Sequence, residues 1–74
     1  MNRFAMSDNL IRAARKRHMT QRAIAERMGT HVNTIGRWMR GDTIPSAYDL
    51  YRMARILSTT MDELMKGVDD GKDV

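Results

Sequence analysis

Thr20-Gln21-Arg22-Ala23-Ile24-Ala25-Glu26-Arg27-Met28-Gly29-Thr30-His31-Val32-Asn33-Thr34-Ile35-Gly36-Arg37-Trp38-Met39-Arg40-Gly41 is the stretch that decides how this chain folds. Thr20 is an N-cap residue, and behind it Ile24, Ala25 and Met28 fall on one side of a helix over Gln21–Met28. Gly29 ends that helix, because a residue tolerant of positive φ belongs there. A second helix runs from about Val32 to Arg40, with Ile35, Trp38 and Met39 spaced i, i+3, i+4 and turned inward. Gly41 stops it. Only Gly29-Thr30-His31 joins the two, and so short a connection forces the helices to cross steeply.

The same signals extend outward in both directions. Ser7 or Asp8 caps a first helix reaching about Arg17, with Leu10, Ile11 and Ala14 inside, and residues 1–7 are left as an arm. Pro45-Ser46 opens a fourth helix, with Ser46 as N-cap, Asp49 in its first turn, and Leu50, Met53, Ala54 and Leu57 in the i, i+3, i+4, i+7 pattern. Thr60 and Glu63 form a capping box for a short fifth helix carrying Met61, Leu64 and Met65 and ending at Gly67. Residues 68–74 read as a frayed acidic tail. β-branched residues never alternate in runs, so the expected fold is all-α, in one domain of five helices.

Seventy-four residues allow one domain at most. Apolar residues make up 42% of the chain and aromatics only 5%, so a core is affordable but must be built from Leu, Ile, Ala and Met. Cysteine is absent, which removes disulfides, thiolate zinc sites and cysteine catalysis. His18 and His31 are the two histidines, too few for an imidazole metal site. No nucleophile–base set and no phosphate-binding glycine loop occurs, so neither an enzyme nor a cofactor is expected. No apolar run approaches the ~18 residues of a membrane span, and Met1–Met6 lacks the apolar stretch of a secretory signal; a cytoplasmic location follows as an expectation.

Charge is the informative part of the composition. The net charge is +4, but residues 1–41 carry +7 and residues 42–74 carry −3. A basic half joined to an acidic half suggests one surface facing a polyanion and another turned away.

The stretch from Thr20 to Gly29 resembles the first half of the helix-turn-helix motif in the phage Cro and lambda-repressor-like family of XRE-type regulators. Ala25 falls where the two helices need a small residue, and Gly29 falls in the turn. Ile35, Arg40-Gly41, Pro45-Ser46, Ala54, Leu57 and Asp62-Glu63-Leu64 also match, so the resemblance covers residues 8 to 66 without a gap. Three departures stand out. Many members pair an Arg late in the first helix with a Glu near the end of the third; Ala14 and Met39 occupy those places, so both charges are missing together. Replacing such a pair with apolar packing is often neutral or stabilising. Arg22-Ala23 stands where acidic or polar residues are usual, and Gly36 lies mid-helix at a cost of about 1 kcal/mol relative to Ala.

The resemblance implies a compact lambda-repressor-like domain whose third helix enters the major groove by its N-terminal part while the second crosses the backbone. It points to His31, Val32, Asn33, Gly36 and Arg37 as the groove-facing set. Asn33 and Arg37 share a face; Asn pairs with adenine, and Arg with guanine at O6 and N7. Val32 either touches a thymine methyl or packs near Met39. His31 contacts phosphate or caps the helix. Gly36 permits either a close approach to DNA or a tight helix–helix contact. Gln21, at a helix N-terminus, is the expected phosphate grip, with Arg22, Thr34 and Arg40 as further backbone contacts. Arg12, Arg15, Lys16 and Arg17 offer distant attraction, and Arg3 a reach along the duplex from the arm. Trp38 could stack on a base, but its spacing from Ile35 favours the core.

The expected function is a DNA-binding repressor of Cro size that occupies a palindromic operator as a homodimer. Met61, Leu64, Met65 and Val68 form a stripe on the fifth helix, of which Met65 and Val68 would meet the partner. The alternative with the same fold is an antitoxin that also holds a protein toxin; a protein-interaction domain without DNA binding is a third reading.

Overall fold

The computed structural model describes residues 2–68, the side chain of Arg3 excepted, and consists of five helices. These are α1 (Arg3–Lys16), α2 (Gln21–Met28), α3 (Val32–Arg40), α4 (Ala47–Ile56) and α5 (Met61–Leu64). α2 and α3 form the expected pair, α1 packs across α3 and α5, and α4 lies against α2 and α5. Among the described residues no helix is long and apolar enough to cross a membrane.

The caps read from the sequence are made. Thr20 Oγ accepts from the Ala23 N–H, Ser46 Oγ from Asp49 and Thr60 Oγ from Glu63, each at 3.1 Å. Each satisfies one of the amides left orphaned at a helix start. The four longer helices also end alike, with paired backbone bonds reaching back from beyond the last turn. Met19 and His18 donate to Ala14 and Arg15, Thr30 and Gly29 to Ala25 and Glu26, Asp42 and Gly41 to Arg37 and Trp38, and Thr59 and Ser58 to Ala54 and Arg55. The motif needs one left-handed residue per helix end. Gly29 and Gly41 supply it after α2 and α3, whereas His18 and Ser58, both at φ +55°, supply it after α1 and α4 at a conformational cost.

The core forms where the apolar spacings converge. Leu10, Ile24, Ile35, Met53, Leu57 and Leu64 are almost wholly enclosed, and Trp38 joins them. Ala14 and Met39 are both buried, so the place of a charged pair in relatives is filled by hydrocarbon with no charge stranded.

Two expectations fail at the chain's ends. The arm over residues 1–7 is helix from Arg3, because Asn2 is the N-cap: its side chain accepts from the Phe4 and Ala5 N–H groups. Met6 and Ser7 are consequently buried. Val68 is not the head of a frayed tail or a free seam residue. It is 1% exposed, and its carbonyl accepts from the Asn2 N–H at 2.6 Å. Residues 69–74 of the expected tail, and the Arg3 side chain, lie outside the described residues.

The enclosing contact at this end is Asn9, which the sequence did not single out. Its buried Nδ2 donates to the carbonyls of Leu64 at 2.9 Å and Lys66 at 2.8 Å, while Oδ1 accepts from Arg12 Nη1. A helix of four residues has no stability of its own, so α5 stays helical because α1 and α4 hold it.

Gly29 and Gly41 share a φ sign but not a neighbourhood. A Cβ on Gly29 would meet nothing within 4 Å, whereas one on Gly41 would lie 2.9 Å from the Phe4 ring. Gly29→Ala should therefore cost about 1 kcal/mol from left-handed strain alone, and Gly41→Ala should cost more because the ring must also move. Urea denaturation of the two variants measures the difference; equal losses would show that Phe4 does not restrain this turn.

Candidate nucleic-acid interface

α2 packs against α3, and Ile24, Ala25 and Ile35 are enclosed, so the sides of the two helices away from these residues are turned outward. Gln21 and Arg22 stand on the first turn of α2; Asn33 and Arg37 stand one turn apart on α3; all four are exposed. Among the described residues neither Arg22 nor Arg37 has a carboxylate partner. An exposed guanidinium with no internal acceptor keeps all five donors for a ligand.

The remaining expected residues are fixed by local chemistry. His31 caps α3: its Nδ1 accepts from the Asn33 N–H at 3.1 Å, and its carbonyl accepts from Thr34 at 3.0 Å. An accepting Nδ1 carries no proton, so the ring presents Nε2–H outward as its donor. Val32 is half-buried against the core, as is usual for the first turn of a packed helix, and Thr34 is half-buried beside it. Arg40 is exposed but not free: its Nε donates to Asp42 Oδ2 at 2.9 Å. Trp38, 6% exposed, lies in the core and has no face for stacking on a base.

Gly36 sits beneath two of the candidates. A Cβ there would lie 3.1 Å from Arg40 Nη1 and 3.3 Å from Gln21 Oε1. The missing side chain thus lets Gln21 from α2 and Arg40 from α3 close over the helix backbone, and Gly36 is buried. Arg15 joins this group, lining with Gln21 and Arg40 a shallow cleft of about 420 Å³ whose apolar wall is Ile11, Ala14 and Met39. The basic half of the sequence does not form a single surface, however. Arg12, Lys16, Arg17 and Arg27 line clefts that contain none of the α2–α3 candidates.

One supporting residue was missed. Arg52 on α4 donates from Nη2 to the Met28 carbonyl at 2.7 Å, closing the C-terminal end of α2 just before the turn. A cation at that end is doubly favoured, by the hydrogen bond and by the helix dipole. Nothing local in the sequence signals it, since the partners are 24 residues apart.

A family model described as Helix-turn-helix matches residues 11–64. The chain belongs to that family. Within it the type is XRE, Cro/CI-like. No curated protein gives a significant sequence match. Two solved structures share the helix-turn-helix fold. Apo-HppE aligns with a TM-score of 0.79 at 22% identity, covering 86% of this chain and 36% of that one. FeII HppE aligns with a TM-score of 0.83 at 22% identity, covering 96% of this chain and 40% of that one. At this identity the likeness is one of fold, and the chain spans 36–40% of the length of these structures.

Gly36→Ala separates helix propensity from the closeness of Gln21 and Arg40. Both neighbours are ends of flexible side chains, so a few tenths of an ångström of movement accommodates the methyl. The variant should gain up to about 1 kcal/mol of stability in urea, the propensity difference between Gly and Ala. A destabilised variant would show that the two side chains are rigidly held over Gly36.

Proposed function

We propose that this helix-turn-helix protein is a Cro-like repressor that reads duplex DNA with α3 in the major groove and occupies a palindromic operator as a homodimer. The observation that supports it is the exposure of Gln21 and Arg22 on the first turn of α2 and of Asn33 and Arg37 on α3, two helices packed against each other. Asn33 and Arg37 carry the base reading, as the amide matches adenine N6 and N7 and the guanidinium matches guanine O6 and N7. Val32 adds an apolar edge suited to a thymine methyl. Gln21, Arg22, Thr34 and Arg40 hold the backbone, with the outward Nε2–H of His31 as a further donor, and Gly36 lets Gln21 and Arg40 sit close together. For Arg40, an incoming phosphate oxygen takes over the role of Asp42.

A dimer is needed because one helix of nine residues reads too few base pairs; a two-fold pair sets its helices about 34 Å apart, one turn of the duplex. With Val68 enclosed, Met65, the C-cap residue of α5 and 39% exposed, is the one of the expected pair left to form the seam.

Base reading and positioning respond differently to mutation. Arg37→Ala should lower affinity for the preferred site by about 1–3 kcal/mol and relax preference at one base pair. Gln21→Ala should weaken all sequences by a similar factor. Binding titrations on preferred and scrambled duplexes distinguish them, and an equal loss on both for Arg37→Ala overturns its assignment.

The split of the basic residues also sets the salt dependence. If Arg15, Arg22 and Arg40 each neutralise one phosphate, log affinity should fall against log salt with a slope of about −2 to −3 per protomer. Measuring affinity from about 50 to 300 mM salt checks it. A flat response would exclude phosphate contacts by these residues.

A further inference from the structure

Among the described residues α1 and α2 both pack on α3 but not on each other, and the groove left between them is the cleft of about 420 Å³ beside the candidate interface. Its lining is more apolar than polar, whereas the clefts that hold Arg12, Lys16, Arg17 and Arg27 are lined mainly by polar groups. Ile11 and Met19 are only half-buried there, beside the buried Ala14 and Met39 that stand where relatives carry a charged pair. The polar part of the lining is cationic, and no acid lines the cleft. Among the described residues Arg15 has no carboxylate partner, and Arg40 commits only Nε, to Asp42. The Thr20 hydroxyl accepts from the Ala23 N–H and keeps its own proton to donate, as does the Gln21 amide.

We propose that this cleft binds a small carboxylate with a hydrocarbon tail, of the medium-chain fatty acid class, and that the bound ligand excludes DNA. Two demands made at one place define the class. The guanidiniums of Arg15 and Arg40, the Thr20 hydroxyl and the Gln21 amide offer charge-assisted hydrogen bonds to one anionic head. Ile11 and Met19 gain from being covered by hydrocarbon, which a fatty chain carries and a phosphodiester backbone does not. A volume of about 420 Å³ lies within the range of small-molecule sites. Arg15, Gln21 and Arg40 are also the residues proposed above to hold the DNA backbone, so a carboxylate and a phosphate compete for the same donors. That competition rests on the DNA reading; binding of the ligand does not.

The probe is octanoate, titrated into the full chain and followed by the NMR shifts of the methionine methyl groups. Saturable shifts, largest at Met19 and Met39, with a dissociation constant of about 1 mM or below are the expected result. Butyrate should bind at least about tenfold more weakly, since each buried methylene is worth about fourfold. Arg15→Gln should weaken octanoate about threefold or more through the lost head-group contact. Ile11→Gln should weaken it about fivefold and leave duplex binding within about twofold of the parent. Circular dichroism checks the fold of Ile11→Gln, and Met19→Gln replaces it if folding suffers. At about ten times its dissociation constant octanoate should weaken duplex binding about tenfold, measured against acetate at the same ionic strength. No methionine shift at about 10 mM overturns the proposal, and so does equal affinity for butyrate, which would mean a site for any anion. Undiminished duplex binding in saturating octanoate overturns the competition, whereas a chain that binds octanoate and no duplex sinks only the DNA reading.

Discussion

Between Met28 and Val32 the backbone must leave one helix and enter another within three residues, and the rest of the molecule is arranged around that constraint. Gly29 at φ +68° turns the chain while Thr30 and Gly29 return hydrogen bonds to Ala25 and Glu26. His31 then starts α3 with its own ring nitrogen. With no slack in the connection, Ile24 and Ala25 must meet Ile35, and the crossing angle leaves Gln21 beside Gly36. Arg52 secures the last carbonyl before the turn from a helix far along the chain. The outward residues need not be placed individually; they are what remains when the inward ones are satisfied.

The charge asymmetry of the sequence takes a more specific form in three dimensions. A +7 segment spread over three helices is distributed by helix geometry, not by position in the chain. Arg15 turns toward Gln21 and Arg40, whereas its neighbours Lys16 and Arg17 turn toward the end of α4. Adjacent residues on a helix point about 100° apart, so the run of three basic residues Arg15, Lys16 and Arg17 cannot serve one surface. The ion pairs that do form, Arg40 with Asp42 and Arg52 with Asp49, are local and leave both clusters largely uncompensated.

Periodicity and capping made the all-α fold legible, because both are short-range: Thr20, Ser46 and Thr60 cap as their spacing requires, and Ile24, Ile35, Leu50 and Leu57 are buried as theirs requires. The start of α1 was misplaced because Ser7 and Asp8 look like caps while Asn2, nearer the terminus, acts as one. Val68 looked free because its partner, the Asn2 backbone, is distant in sequence and invisible to any pattern. For the site, exposure of Asn33 and Arg37 followed from the burial of Ile35 and Trp38. The ion pair on Arg40 and the closure over Gly36 did not, since they depend on where two long side chains settle.

The bonds from Asn9 to the carbonyls of Leu64 and Lys66 join residues 55 and 57 positions apart. Closing so long a loop has an entropic cost that the three-residue turn between α2 and α3 avoids. The order of assembly follows: the turn and its two helices form early from local contacts, and α5 docks on α1 late. In the native state the same asymmetry runs in reverse. The α5 end is expected to open before the α2–α3 pair does, so that its amides should exchange with solvent through a local excursion and those of Ile24 and Ile35 only through global unfolding. A domain built this way should loosen first at the end remote from its central turn.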